Sequence, residues 1–114
     1  MSNPIAQTID SIQNNVAVTG AEIAELLSTT PETISRWRVG KSQPQRPRLQ
    51  MLLLLEWLTK ELVDLYPPNQ ARIWLNSPNQ MLDGRIPVDL ISEGQEGLQS
   101  VLQIIQQLKD GAFA

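Results

Sequence analysis

Apolar residues recur along the chain at three- and four-residue spacing, with no convincing two-residue alternation, so the pattern predicts helices throughout. Ile5, Ile9 and Ile12 fall on one face behind Pro4, a residue suited to the first helical position. Thr19 and Glu22 have capping-box spacing and open a second helix. Thr30 and Pro31 open a third, which Gly40 can end in a left-handed conformation. Pro44 and Pro47 resist helix and predict a linker over 43–47. A long helix then runs from about residue 48 to 66. Its apolar positions cover more than one stripe, so it needs cover on two sides. Pro67 and Pro68 end it and start a helix carrying Ala71, Ile73, Trp74 and Leu75. Ser77 and Pro78 predict a further start, Gly84 a stop, and Pro87 a short helix with Val88, Leu90 and Ile91. Gly94 and Gly97 are expected to bracket a turn. Leu98, Val101, Leu102, Ile105 and Leu108 then form one face of a last helix, with Gly111 as its cap. The expected architecture is all-α. It comprises an N-terminal helix-turn-helix bundle (1–47), a central helix that also serves oligomer contact (48–66) and a small C-terminal helical domain (67–114).

The second and third helices carry the first functional signal. Ala24 supplies a small residue where two steeply crossed helices touch, and Ile23, Leu27, Ile34 and Trp37 face the core. Trp37 reads as core and not as an intercalating wedge. The face of the third helix left outward holds Glu32, Thr33, Ser35, Arg36 and Val39. Arg36 is suited to a bidentate contact with guanine, and Glu32 to accepting from cytosine. Thr30, Arg38, Lys41, Ser42, Arg46 and Arg48 are placed for phosphates, which position a protein without reading sequence.

Charge sharpens this reading. The chain has 114 residues and a net charge of −3, yet residues 36–48 hold five of its nine basic residues and no acid. Residues 1–35 carry Asp10, Glu22, Glu25 and Glu32 with no base, and residues 49–114 carry eight acids against four bases. A cationic patch on an anionic protein is the footprint of a single DNA-contacting face. The chain contains neither cysteine nor histidine. That removes the usual ligands for zinc, copper and iron and the usual general base near neutral pH. No cofactor and no enzymatic activity are expected. The start lacks a basic n-region, and the longest apolar run, 51–55, is far too short to span a membrane, so the expected location is the cytoplasm.

Two resemblances add to this. Small or apolar residues at the fourth, fifth, eighth, fifteenth and eighteenth positions from Gly20 resemble the helix-turn-helix of Xre/Cro-like repressors. Here Ser28 and Thr29 occupy the turn where that motif often has glycine. The series Ala71-Arg-Ile-Trp-Leu-Asn-Ser-Pro-Asn79, Leu82-Asp-Gly-Arg-Ile-Pro87, Asp89-Leu-Ile91, Gly97 and Leu108-Lys-Asp-Gly111 resembles the C-terminal domain of the MbcA/ParS/Xre antitoxin family. The resemblance implies an antitoxin of a type II pair. Such a protein binds a cognate RES-domain toxin that consumes NAD, and as a dimer it represses its own operon at an inverted repeat. The toxin contacts are then expected among polar residues held outward by structural glycines and prolines: Asn79, Gln80, Asp83, Arg85 and the tail from Lys109 to Ala114. Two other readings remain at this level. One is an ordinary helix-turn-helix regulator whose C-terminal helices only dimerise. The other is an adaptor that has lost DNA binding. The over-wide apolar surface of the central helix predicts a homodimer or a larger even-numbered oligomer.

Overall fold

The computed structural model describes residues 3–111, and these form seven α-helices and one 3-10 turn. The first six α-helices each begin at a side-chain cap or a proline, and the seventh follows Gly94. Helix α1 (Pro4–Val16) starts after Asn3, whose Oδ1 accepts from the Ala6 N–H at 2.7 Å, and it ends at Ala17 in the left-handed region. Helix α2 (Gly20–Leu26) opens on the full capping box of Thr19 and Glu22. Helix α3 (Pro31–Val39) is capped by Thr30 and closed by Gly40 at φ 81°.

Helix α4 (Arg46–Val63) starts two residues earlier than expected and ends three residues sooner. Pro47 does not extend the linker. It sits in the first turn, where its missing N–H has no intrahelical partner to lose. Helix α5 (Pro68–Leu75) begins on the second residue of the proline pair, with Pro67 at its N-cap. The next start differs from expectation. Asn79, not Ser77, caps the 3-10 turn (Gln80–Leu82), its Oδ1 accepting from the Met81 N–H at 2.9 Å. Helices α6 (Pro87–Ser92) and α7 (Gln95–Lys109) complete the chain.

Gly97 is also not a turn residue. It lies inside α7, where a Cβ would fall 1.8 Å from the backbone oxygen of Leu90. Its lack of a side chain lets α7 lie against α6, and Gly94 alone makes the break between them, at φ 131°.

A single apolar core runs from Ile9 and Ile12 of α1 through Leu52, Leu55, Leu58 and Leu62 of α4 to Leu98, Val101 and Ile105 of α7. Fully burying one such side chain contributes about 1.5–3 kcal/mol before the opposing loss of chain entropy. Helix α1 packs against α3, α4 and α5, while α4 also packs against α7, and α6 packs on both α2 and α7. The expected cover of α4 on two sides is therefore supplied by α1 and α7. A third side stays open, with Leu53 48% and Trp57 47% exposed. The one polar side chain buried in α4, Thr59, accepts from Asn15 of α1 at 3.1 Å and donates to the Glu56 carbonyl.

Candidate functional site

Helices α2 and α3 pack together through the small and apolar residues that their spacing singles out. Ile23, Ala24, Leu27, Ile34 and Trp37 are buried together, and Leu26, which the sequence reading left out, joins them. The turn runs through Ser28 at φ 55°, a left-handed position that glycine would fill without strain. Serine is held there by two contacts. Its Oγ donates to the Ser92 carbonyl at 3.0 Å, and the following Thr29 N–H donates to the Ala24 carbonyl at 2.9 Å. The turn is thus anchored to the end of α6.

On α3, Glu32, Ser35, Arg36 and Val39 are exposed and Thr33 is half-buried. The hydroxyls of Thr30 and Thr33 lie 2.9 Å apart, and Thr30 Oγ1 also accepts from the Thr33 N–H, so both side chains serve the cap. The cations divide sharply. Arg38 is tied to α1 by an ion pair with Asp10 and a hydrogen bond to Gln13 Oε1, while its carbonyl accepts from Asn3 Nδ2 at 3.1 Å. Lys60, Arg72, Arg85 and Lys109 each have a carboxylate partner as well. The four cations with no carboxylate partner among the described residues are Arg36, Lys41, Arg46 and Arg48, all within 36–48. Ser42 is half-buried beside Lys41.

The second surface surrounds the loop from Asn79 to Arg85. Asn79 closes this loop twice. Its N–H donates to the Arg85 carbonyl at 3.1 Å, and its carbonyl accepts from the Gly84 N–H at 2.8 Å. Asp83 and Gly84 take successive left-handed conformations, at φ 57° and 84°, which turn the chain back on itself. Arg85 leaves the loop to pair with Glu93 after α6. Between this loop, α6 and the outer face of α7 lies an open groove of about 390 Å³, lined by Met81, Asp83, Arg85, Ser100, Gln103 and Gln107 over a floor that includes Ile104.

Of the expected residues, Asp83 and Arg85 line the groove, and Asn79 builds the loop that frames it. Gln80 is exposed beside it. Lys109 is held elsewhere, its Nζ donating to Glu61 at 3.1 Å and Asp64 at 2.7 Å across α4 and α7, contacts that raise its pKa. The expected tail contacts at Ala112, Phe113 and Ala114 lie outside the described residues. Met81, 47% exposed, was not anticipated, whereas the Gln-rich polar face of the last helix is expected from the sequence to suit a protein partner. The glutamines sat opposite the apolar stripe in the sequence, but only the fold sets them beside the loop.

A third feature ties α5 to the start of α2. Arg72 of α5 donates through Nη1 to Glu22 at 2.8 Å and to the Ala17 carbonyl at 2.9 Å, and its Nη2 lies 2.7 Å from the other Glu22 oxygen. The Arg72 hydrogen bonds hold the Glu22 carboxyl down from 4.5 to about 2, against the opposing effect of burial and with help from the Thr19 N–H.

The model of the antitoxin Xre/MbcA/ParS C-terminal toxin-binding domain matches residues 61–111, so the match begins inside α4. Over 111 residues the chain is 32% identical to the mycobacterial cidal antitoxin MbcA of Mycobacterium bovis, covering 97% of this chain and 96% of that protein. This chain belongs to the Xre/MbcA/ParS antitoxin family. MbcA of Mycobacterium tuberculosis matches to the same extent. A probable mycobacterial cidal antitoxin of that species is 29% identical over 96 residues, 84% of this chain and 80% of the other. The fold agrees too. A chain of the crystal structure of the M. tuberculosis MbcT–MbcA toxin–antitoxin complex superposes with a TM-score of 0.82 and 31% identity, over 98% of this antitoxin and 99% of that chain. The groove beside the 79–85 loop lies within the part of the antitoxin that matches the toxin-binding domain.

Proposed function

We propose that this antitoxin neutralises a RES-domain, NAD-consuming toxin by binding it directly through the groove between the 79–85 loop and α7. We further propose that it represses its own operon as a dimer, with α3 in the major groove of an inverted repeat. The observation that carries the first part is the groove itself: an open, mostly polar cleft that exposes Met81 over buried Leu82, Leu90 and Ile104, inside the segment that matches a toxin-binding domain. Such a mixed surface suits a protein partner. The MbcA relative whose fold this chain shares is found in a complex with MbcT, which supports a toxin of the same kind here. Inhibition then needs only steric cover of the toxin's NAD pocket and no chemistry from the antitoxin. The DNA half rests on the four cations of 36–48 that have no carboxylate partner among the described residues.

The test is co-expression of the full chain with the product of the neighbouring gene. Wild type should restore growth and co-purify with the toxin. Met81→Glu and Gln103→Lys should each lose rescue while keeping the native circular dichroism spectrum and operator binding. Full rescue by folded Met81→Glu and Gln103→Lys proteins would move the toxin interface off this groove.

A further inference from the structure

The open side of α4 carries a pattern that packing against α1 and α7 leaves exposed. Arg46, Gln50, Leu53, Trp57, Lys60 and Asp64 are spaced alternately four and three residues apart, and all six are exposed. That is the seam spacing of a helix that meets another helix. Leu53 and Trp57 form its apolar centre. The seam's N-terminal end is basic and its C-terminal end acidic.

We propose that a second copy of this chain packs on this seam with its α4 antiparallel, about a two-fold axis level with Leu55. This rests on the dimer reading above and gives it a face and a register. A two-fold contact must be self-complementary, each residue i meeting j while j meets i. With the axis at that level, Leu53 of one copy meets Trp57 of the other, Gln50 meets Lys60, and Arg46 meets Asp64. Each apolar residue finds an apolar partner, and Arg46 brings a second cation to Asp64, whose Oδ2 already accepts from Lys109. A parallel pairing would set arginine on arginine, lysine on lysine and aspartate on aspartate. The seam is about 27 Å long at 1.5 Å per residue. The matched toxin-binding segment starts at residue 61, so the apolar centre of the seam lies outside it. A toxin on the groove and a second copy on α4 therefore use different residues. Arg46 has five N–H donors, so one edge of its guanidinium can meet the carboxylate while another stays available to phosphate.

The chain contains no cysteine, which makes cross-linking free of background. Gln50→Cys and Lys60→Cys would be made in the full chain, one carrying a size tag, and oxidised separately and as a mixture. In the antiparallel register residues 50 and 60 face each other across the interface. Two copies of residue 50, or of residue 60, then lie about 15 Å apart along the axis, beyond the roughly 7 Å that a disulfide spans. The mixture should give the tagged–untagged dimer, and each variant alone should stay uncross-linked. Trp57→Glu should raise the concentration of half-dissociation by about tenfold or more, with an unchanged circular dichroism spectrum. Efficient cross-linking of each single variant would overturn the antiparallel register. A dimeric mass by light scattering without the mixed product would overturn the α4 seam and leave the dimer standing. A monomeric mass at tens of micromolar would overturn both.

Discussion

Gly97 leaves no room for a side chain. A methyl group there meets not a side chain that can swing away but the Leu90 carbonyl, at 1.8 Å. Gly97→Ala should force α6 and α7 apart and destabilise the fold by about 1–3 kcal/mol or more, read as a lowered urea midpoint. An unchanged midpoint would mean the two helices are not held at this distance. Nothing local in the sequence distinguishes this glycine from Gly94, because the atom it accommodates is seven residues away on another helix. The cations show the same limit. Residues 36–48 were legible as a patch, but only the structure separates Arg38, held by Asp10 and Gln13, from its neighbours. Arg36→Ala should relax operator preference and weaken specific binding by about 1–3 kcal/mol. Lys41→Ala should weaken binding to all sequences alike and flatten the salt dependence by about one phosphate contact. Electrophoretic shifts on operator and scrambled duplexes at several salt concentrations would distinguish the two, and equal losses on both duplexes for Arg36→Ala would remove it from base readout.

At the scale of elements, caps were the most readable feature. The Thr19–Glu22 box, Thr30, Pro31 and Gly40 all act where their spacing placed them, since a cap is a local transaction between a side chain and the nearest free N–H or carbonyl. The start of α4 and the cap at Asn79 were misread because proline signals both a break and a first turn, and only packing decides which. The link between α2 and α5 was invisible. Glu22 reads as a capping residue, yet it also holds Arg72 from fifty residues away. This link has a pH signature. The folded-state pKa of Glu22 is lowered from 4.5 to about 2. The stability it supplies is therefore complete above about pH 4.5 and is lost as the pH falls toward 2. Glu22→Gln should lose less stability than wild type between pH 5 and 2 in urea titrations. Parallel pH profiles for the two proteins would show that the pair contributes nothing to the fold.

For the molecule as a whole, the all-α class and the family resemblance were legible from helical spacing and from the ordered glycines and prolines of the C-terminal half. What the sequence could not convey is how the halves share a core. Helix α1 buries Ile9 and Ile12 in a cluster that also holds Ala71 and Leu75 of α5, and α4 lies between α1 and α7. Division at residues 66 and 67 would strip both pieces of apolar cover. Residues 1–66 and 67–114 expressed separately should each lack a cooperative thermal transition, while the full chain melts in one step. A sharp melt from either fragment would reveal an independent unit. The shared core also bears on how the protein is removed. A protease acting on a chain with separable halves can trim one and spare the other. Here the opening that exposes one half exposes both, so the rate of that single event sets a common lifetime. Repression and neutralisation, if carried as proposed, would lapse together, and no long-lived fragment would be left holding the operator without restraining the toxin.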